Sequence, residues 1–367
     1  MNLLYISNNT NNVDSGLNWS VPASVNAQQK YDNVMWIDLT LNAFQEHWGV
    51  VKAYHNIKEF GRKLSLRVLP KPFDNPDCVI FEGFYYIQHV KFAKELKKKN
   101  IPYIIVPRCS LTEQAFRNGG LINYFKKKLA HWLIFNSFIY SAACIQYLTI
   151  TEKKESEKKY CLPSFIIPNG NVLPNIYKKN FSKGIKGVFI GRQYIYQKGL
   201  DLLFESIRDI HDELKRCNFT LNIYGPPRGD VKKITRLINE LGINDIVVNH
   251  ERGVRGEEKQ KILLNSDIFI LTSRFEGHPM GLIEALSYGL PVFITRGANM
   301  FDEVVNNNVG WSCETNKESI VAGLKRMIAD VKNYKIKGEN ARSLATNYDW
   351  DILAQNFHDE VSRIIVK

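Results

Sequence analysis

Residues 271–289 read Leu271-Thr272-Ser273-Arg274-Phe275-Glu276-Gly277-His278-Pro279-Met280-Gly281-Leu282-Ile283-Glu284-Ala285-Leu286-Ser287-Tyr288-Gly289. An apolar run over 267–271 feeds a polar loop containing Gly277 and Pro279, and a short apolar helix is predicted to begin near Gly281. A strand that delivers such a loop to a helix N-terminus makes an anion site, because unpaired N–H groups and the helix dipole point at the ligand. Glu276 and Glu284 lie eight residues apart and would repel that anion. Carboxylates beside it suit another task, accepting hydrogen bonds from hydroxyls such as those of a ribose or a hexose. Glu284, placed in the first helical turn, has the alternative of simply complementing the dipole.

Strands and helices alternate on both sides of this stretch. Toward the C-terminus, strands are predicted over 187–191, 221–224, 246–248, 268–272 and 291–295. Helices are predicted from about 199, over 231–241 and 257–264, and near 317–331 and 351–365. Leu200, Leu203, Phe204, Ile207, Ile210 and Leu214 give the first of these helices a 3.6-residue apolar stripe. In the N-terminal half, strands are predicted over 3–7, 34–38, 78–83, 101–106 and 165–170. A helix is predicted over 86–99 and one long helix over 121–148, while residues 40–76 show no clear order. Such alternation predicts parallel α/β sheets, and 367 residues suit two domains better than one. The joint is expected near 168–183.

A second loop carries charge against local preference. Gly191-Arg192-Gln193-Tyr194-Ile195-Tyr196-Gln197-Lys198-Gly199 links a strand to a helix. Lys198 is expected at the helix start, where the dipole disfavours a cation, and Arg192 at the carboxyl end of the strand. Two cations so placed fit a bound phosphate or diphosphate, clamped by arginine and neutralised further by lysine. A solvated surface pair is the alternative. The run has neither the P-loop pattern nor the spacing of G-x-G-x-x-G.

With 44% apolar and 23% charged residues the chain reads as a soluble globular enzyme. Six scattered cysteines without C-x-x-C spacing argue against a zinc site or a disulfide framework, and for a reducing compartment. No signal peptide and no membrane-spanning run of about 20 apolar residues is read, so the expected location is cytoplasmic. Of the net charge of +12, residues 1–180 carry +10, from 23 Lys/Arg against 13 Asp/Glu. That asymmetry predicts an anionic partner for this half. Lys126-Lys127-Lys128 followed by Trp132 and Phe135 fits an anionic membrane surface, with the protein peripheral at the inner face. The alternative is a solvated lysine run over a buried aromatic stripe. No nucleic-acid reader motif is present, so no nucleic-acid partner is expected.

The stretch from Ser273 to Val292 resembles the E-x7-E signature of the group 1, family 4 retaining glycosyltransferases. Gly191-Arg192 with Lys198-Gly199 resembles that family's diphosphate-binding G-R…K-G. Ile167-Pro168-Asn169-Gly170 resembles its I-P-N-G turn at the domain joint, and Thr295-Arg296-Gly297-Ala298-Asn299 its following loop. The resemblance implies a GT-B fold, two Rossmann-like domains facing each other across a cleft. Residues 1–168 would bind the acceptor and 169–345 a nucleotide-diphosphate sugar, with 346–367 a helix packing back toward the N-terminal domain. It implies donor binding by Gly191, Arg192, Lys198, Glu276, Gly281, Leu282 and Glu284. Arg192 and Lys198 would stabilise the leaving diphosphate, and Gly281 and Leu282 would offer it N–H groups. Glu276 would position the sugar and Glu284 hold the ribose diol.

The implied activity is a retaining, hexosyltransferase-type transfer to a hydroxyl of a glycan or lipid-linked acceptor, in surface polysaccharide biosynthesis. No cofactor and no metal are expected, since the protein supplies the positive charge. Asp349-Trp350-Asp351 has the D-x-D spacing of metal-dependent enzymes, but it precedes a helix and Asp349 reads as an N-cap. The acceptor side departs from the family. Pro107-Arg108-Cys109-Ser110 stands where many members carry a histidine, so Arg108 would bind an anion or sugar, and Ser15-Gly16 stands where many have a glycine pair. His278 is expected to pack the loop or touch the donor rather than act as a base. A GT-B nucleotide-sugar epimerase and a non-catalytic nucleotide- or polyanion-binding partner remain the alternatives.

Overall fold

The computed structural model describes residues 1–9, 16–41, 48–117, 120–182, 184–226 and 229–365. The chain forms two compact units, one of Met1–Gly170 with Trp350–Lys367 and one of Asn171–Asp349.

The first unit holds seven strands: β1 (Asn2–Ser7), β2 (Asn33–Asp38), β3 (Tyr54–Asn56), β4 (Cys78–Glu82), β5 (Tyr103–Val106), β6 (Cys144–Tyr147) and β7 (Ser164–Ile166). Their order is β3-β2-β1-β4-β5-β6-β7, all parallel. Leu3, Leu4, Ile6, Val79, Ile80 and Phe81 are fully buried on successive positions, as expected for strands covered on both faces. The order reverses between β1 and β4, which places ligand-binding loops beyond their carboxyl ends. The helix Trp350–Ile365 packs within this unit. Its Phe357 ring meets Tyr5 at 6.1 Å and Phe165 at 5.9 Å. The buried Asp32 carboxylate holds the Met1 amino group at 2.9 Å and His358 Nδ1 at 3.0 Å.

One sequence expectation fails here. The long helix predicted over 121–148 ends at Tyr140, and Cys144–Tyr147 is strand β6, paired with β5 and β7. A four-residue segment is too short to show a period of its own, and its neighbours in the sheet decide its conformation. The preceding helix is also not uniform, running over Gly120–Ala130, widening into a π turn over His131–Phe135 and resuming over Asn136–Tyr140. Residues 40–76, unordered in the sequence reading, contain the short strand β3 and two 3-10 turns.

The second unit holds β8 (Ile185–Ile190), β9 (Phe219–Tyr224), β10 (Val247–Asn249), β11 (Ile268–Leu271), β12 (Val292–Thr295) and β13 (Gly310–Cys313). The order is β10-β9-β8-β11-β12-β13, again all parallel, the arrangement of dinucleotide-binding sheets. The switch point falls between β8 and β11, so the loops 191–199 and 272–279 leave adjacent strands at the same end. The helix Leu200–Asp209 buries Leu200, Leu203, Phe204 and Ile207, the stripe anticipated from the sequence. The sequence reading did not anticipate β13 or the helices Phe301–Asn306 and Tyr334–Ala345.

Three histidines are kept neutral inside the fold. Burial lowers His89 and His278 to about 3 and, helped by the Lys159 charge, His131 to about 4. Below the ordinary histidine value the unfolded chain takes up protons that the folded chain does not, so stability falls as pH drops from about 6.5 toward these values. His278→Gln is expected to remove about 2 kcal/mol of the stability lost between pH 7 and pH 5. Denaturant titrations at both pH values measure it, and an undiminished loss in the variant contradicts this account.

Candidate active site

The loop 191–199 is shaped by backbone contacts that only small residues permit. Gly191 N–H donates to Tyr224 O at 3.0 Å, and a Cβ on Gly225 would stand 2.2 Å from Gly191 O. Gly199 has φ +61°, and a Cβ there would meet Thr272 O at 2.0 Å. The Thr272 hydroxyl donates to Lys198 O and Gly199 O, each at 3.2 Å. Arg274 continues the seam. Its N–H donates to Gln197 O at 2.8 Å, and its guanidinium bonds both Asp201 oxygens at 2.7 and 2.8 Å. It also lies over the Tyr196 ring at 4.5 Å. The two loops singled out in the sequence are therefore one joined surface.

Lys198 and Glu276 meet at its centre. Lys198 Nζ lies 2.6 Å from Glu276 Oε1, with side chains only 10% and 9% exposed. Ser273 Oγ donates to the same carboxylate oxygen at 2.5 Å. Asn299, in a left-handed conformation at φ 60°, donates its amide to Glu276 O and, at 3.3 Å, to Gly277 O. The carboxylate is thus held at Oε1 by Lys198 and Ser273, and the backbone that carries it is held by Asn299. Lys198 does not stand at a helix start as its sequence position implied. It ends the short turn Ile195–Lys198, and Gly199 separates it from the next helix. Its charge is tolerated there because a carboxylate faces it, not because of a dipole. Its Cε passes 3.8 Å from the Cβ position of Gly191. Arg192 is exposed, lies over the Tyr194 ring at 5.7 Å and has no carboxylate partner among the described residues.

The helix after the second loop spans Met280–Ser287. A Cβ on Gly281 would stand 3.1 Å from Ile190 O, so glycine lets this N-terminus abut the end of β8. The Gly281 N–H has no acceptor among the described residues. Leu282 is fully buried, and its N–H already donates to Pro279 O at 2.9 Å, so the pair of open donors expected at 281 and 282 is reduced to Gly281. Glu284 lies one turn further in than its predicted first-turn place, since the helix begins at Met280. Its carboxylate pairs with Lys259 Nζ from the helix Gly256–Asn265. Lys259 escaped the sequence reading, as nothing in one dimension joins it to a residue 25 positions away. His278 is buried and packs against Tyr348 at 5.4 Å. Burial lowers its pKa to about 3, so the ring is neutral near neutral pH.

In the first unit, Arg108 is not an open cation. Its φ is 50°, its Nε donates to Glu82 Oε2 at 2.8 Å, and its Nη1 donates to Ser20 Oγ at 2.9 Å and Asn169 Oδ1 at 3.0 Å. Arg108 and Glu82 are both largely buried, at 13% and 4% exposure, so this arginine cross-links the strand ends β4 and β5, a helix and the I-P-N-G turn. Gly16 caps the helix Leu17–Gln28, its carbonyl accepting Ser20 N–H at 2.9 Å and Ser20 Oγ at 2.9 Å. Ser15 lies outside the described residues. Of the D-x-D pair, Asp351 is exposed and bridges to Lys30 at 2.5 Å. Among the described residues no cluster of three or more potential metal ligands occurs.

Residues 176–344 match the family described as glycosyl transferases group 1. Over 217 residues the chain is 26% identical to a human protein named as part of phosphatidylinositol N-acetylglucosaminyltransferase, covering 55% of this chain and 41% of that one. It is 25% identical over 292 residues to an uncharacterized glycosyltransferase of Haemophilus influenzae, covering 77% and 75% of the two chains. The chain spans from 41% to 55% of the length of the first three curated relatives it matches. The solved structure of HepE from Anabaena, in complex with UDP, is similar with a TM-score of 0.73 at 15% identity, over 99% of this chain and 100% of that one. The shared architecture is the two-domain α/β fold of GT-B glycosyltransferases. Residues 176–344, within the second unit, are thus a glycosyl transferases group 1 domain.

Proposed function

We propose that the protein is a retaining, metal-independent glycosyltransferase that moves a sugar from a nucleotide-diphosphate donor to a hydroxyl acceptor. The observation that carries this reading is the Lys198–Glu276 pair, buried at 2.6 Å beside Gly191, with the helix N-terminus at Gly281 abutting the preceding residue, Ile190. A donor diphosphate entering there competes with Glu276 for Lys198. The lysine then faces the phosphate, and the released carboxylate accepts hydroxyl hydrogen bonds from the sugar. As the bond between the anomeric carbon and the diphosphate oxygen breaks, negative charge grows on that oxygen. Lys198, Arg192 and the Gly281 N–H stabilise it with charges and dipoles already in place. The acceptor oxygen forms the new bond on the same face of the sugar and passes its proton to the departing diphosphate oxygen. No metal is required for this charge balance.

The names of relatives support the substrate classes. HepE was solved with UDP, which supports a nucleoside diphosphate as leaving group. The human relative's name contains phosphatidylinositol, which supports a lipid-linked acceptor, here in surface polysaccharide or glycolipid synthesis. The working location is the cytoplasmic side of a membrane. No described helix is long and apolar enough to cross one.

Glu284 holds the ribose diol, with Lys259 fixing its carboxylate. Glu284→Ala is expected to raise the donor KM by about tenfold to thirtyfold while kcat changes less than about threefold, because the ribose contact is made equally in ground and transition states. Nucleoside diphosphate release, followed in the presence of EDTA, measures both constants. An unchanged KM with a large loss of kcat contradicts the ribose role.

A further inference from the structure

The lysine-rich segment of the first unit presents an apolar face that stays exposed among the described residues. Phe125, Leu129, Trp132 and Leu133 are 66%, 57%, 68% and 63% exposed. They occupy positions i, i+4, i+7 and i+8, one side of a helix. The π turn over His131–Phe135 turns His131 and Phe135 inward and leaves Trp132, Leu133 and Ile134 consecutively outside. The inward side is firmly seated: His131 Nε2 meets Tyr160 Oη at 2.7 Å, and the His131 ring stacks on Phe84 at 5.5 Å. Phe135, Phe138 and Ile139 are buried in the same core. The exposed aromatic and aliphatic side chains are therefore held out, on a helix anchored from behind.

The charge along this segment is positive, and the nearby Glu113 carboxylate, which accepts from Tyr124 Oη at 3.2 Å, is paired with Lys159 at 2.7 Å. Lys126 and Lys128 are exposed beside it, and Lys127 reaches Ala115 O at 2.8 Å. From residue 114 to residue 151 the sequence contains no Asp or Glu at all. An apolar face of Trp, Phe and Leu flanked by lysines, with no acidic residue along the segment, matches the boundary of an anionic bilayer. There rings enter the acyl edge and ammonium groups meet lipid phosphates.

We propose that Phe125, Leu129, Trp132 and Leu133, with Lys126 and Lys128, form a docking surface for anionic phospholipid. The surface goes beyond the donor-site reading and does not rest on it. A second copy of this chain would also cover apolar residues, but it would bring the same lysines face to face. The positive charge therefore selects the lipid.

Co-sedimentation of the full chain with vesicles tests the proposal. The protein is expected to pellet with phosphatidylcholine–phosphatidylglycerol vesicles at low ionic strength, to be released by high salt, and to stay in the supernatant with pure phosphatidylcholine. Lys126→Glu/Lys128→Glu and Trp132→Ser/Leu133→Ser are each expected to lower vesicle partition by at least about tenfold. The melting temperature should hold, since these side chains are exposed. Failure of the wild type to bind the anionic vesicles overturns the proposal, as does equal binding to neutral ones or wild-type binding by both double variants. So does wild-type self-association that Trp132→Ser/Leu133→Ser abolishes in the absence of vesicle binding. No donor enters the assay, so an error in the catalytic reading leaves this result intact.

Discussion

Lys198→Ala is expected to lower turnover by about 10²- to 10³-fold, the usual cost of deleting one preorganised group that stabilises transition-state charge. The side chain is nine-tenths buried and lies 2.6 Å from Glu276, so its removal has a second consequence. It leaves a carboxylate that is 9% exposed without its cation, at a cost on the order of 3 kcal/mol in stability. The two effects separate in the double variant Lys198→Ala/Glu276→Gln. With the carboxylate neutralised, stability should return toward that of the wild type while turnover stays low. Denaturant titration and nucleoside diphosphate release on the same preparations give both quantities. Glu276→Gln alone is the reference, and if adding Lys198→Ala to it lowers turnover no further, the lysine is structural only.

Gly199→Ala is expected to cost about 4 kcal/mol, combining a left-handed backbone that a Cβ disfavours with a collision that forces backbone to move. The glycine sits at φ +61°, and a Cβ would stand 2.0 Å from the carbonyl oxygen of Thr272. That residue belongs to the other loop, and its hydroxyl holds Lys198 O and Gly199 O. The substitution therefore pushes apart the two loops that bring Lys198 to Glu276, and turnover should fall with stability. Gly242→Ala is the control. Its φ is +65°, but a Cβ there meets nothing within 4 Å, so only the conformational cost of about 1–2 kcal/mol applies. Equal losses in the two variants would mean that the contact with Thr272 is not part of what holds the site.

The sequence made the sheets legible wherever strands were buried runs and helices carried a stripe, as in Leu200–Asp209 with its buried Leu200, Leu203, Phe204 and Ile207. It failed at Cys144–Tyr147, where a short apolar run followed a helical stretch and only pairing with β5 and β7 made a strand of it. In the site, the charged loop and the carboxylate loop were each visible. The family resemblance joined them in one donor site, but the physical basis was not legible, because it depends on the switch point between β8 and β11 and on the contact of Gly199 with Thr272. Glu284 illustrates the same limit. Read locally it was a first-turn acid beside a dipole, whereas it stands a turn further in and answers to Lys259 on another helix. Arg108 was expected to bind an anion or sugar, and the partner it has in the fold, Glu82, lies at the end of a neighbouring strand. Contacts between neighbouring elements decide a charge's role, and these are what a linear reading lacks.

The joined loops of the second unit are expected to bind a nucleoside diphosphate through Arg192, Lys198 and Glu284. Calorimetric titration of the metal-free full chain with uridine, guanosine and adenosine diphosphates tests it without needing the acceptor. Saturable binding of at least one nucleotide is predicted, weakened about tenfold or more by Arg192→Ala and again by Glu284→Ala. Three flat titrations, or binding that both variants leave unchanged, would contradict it.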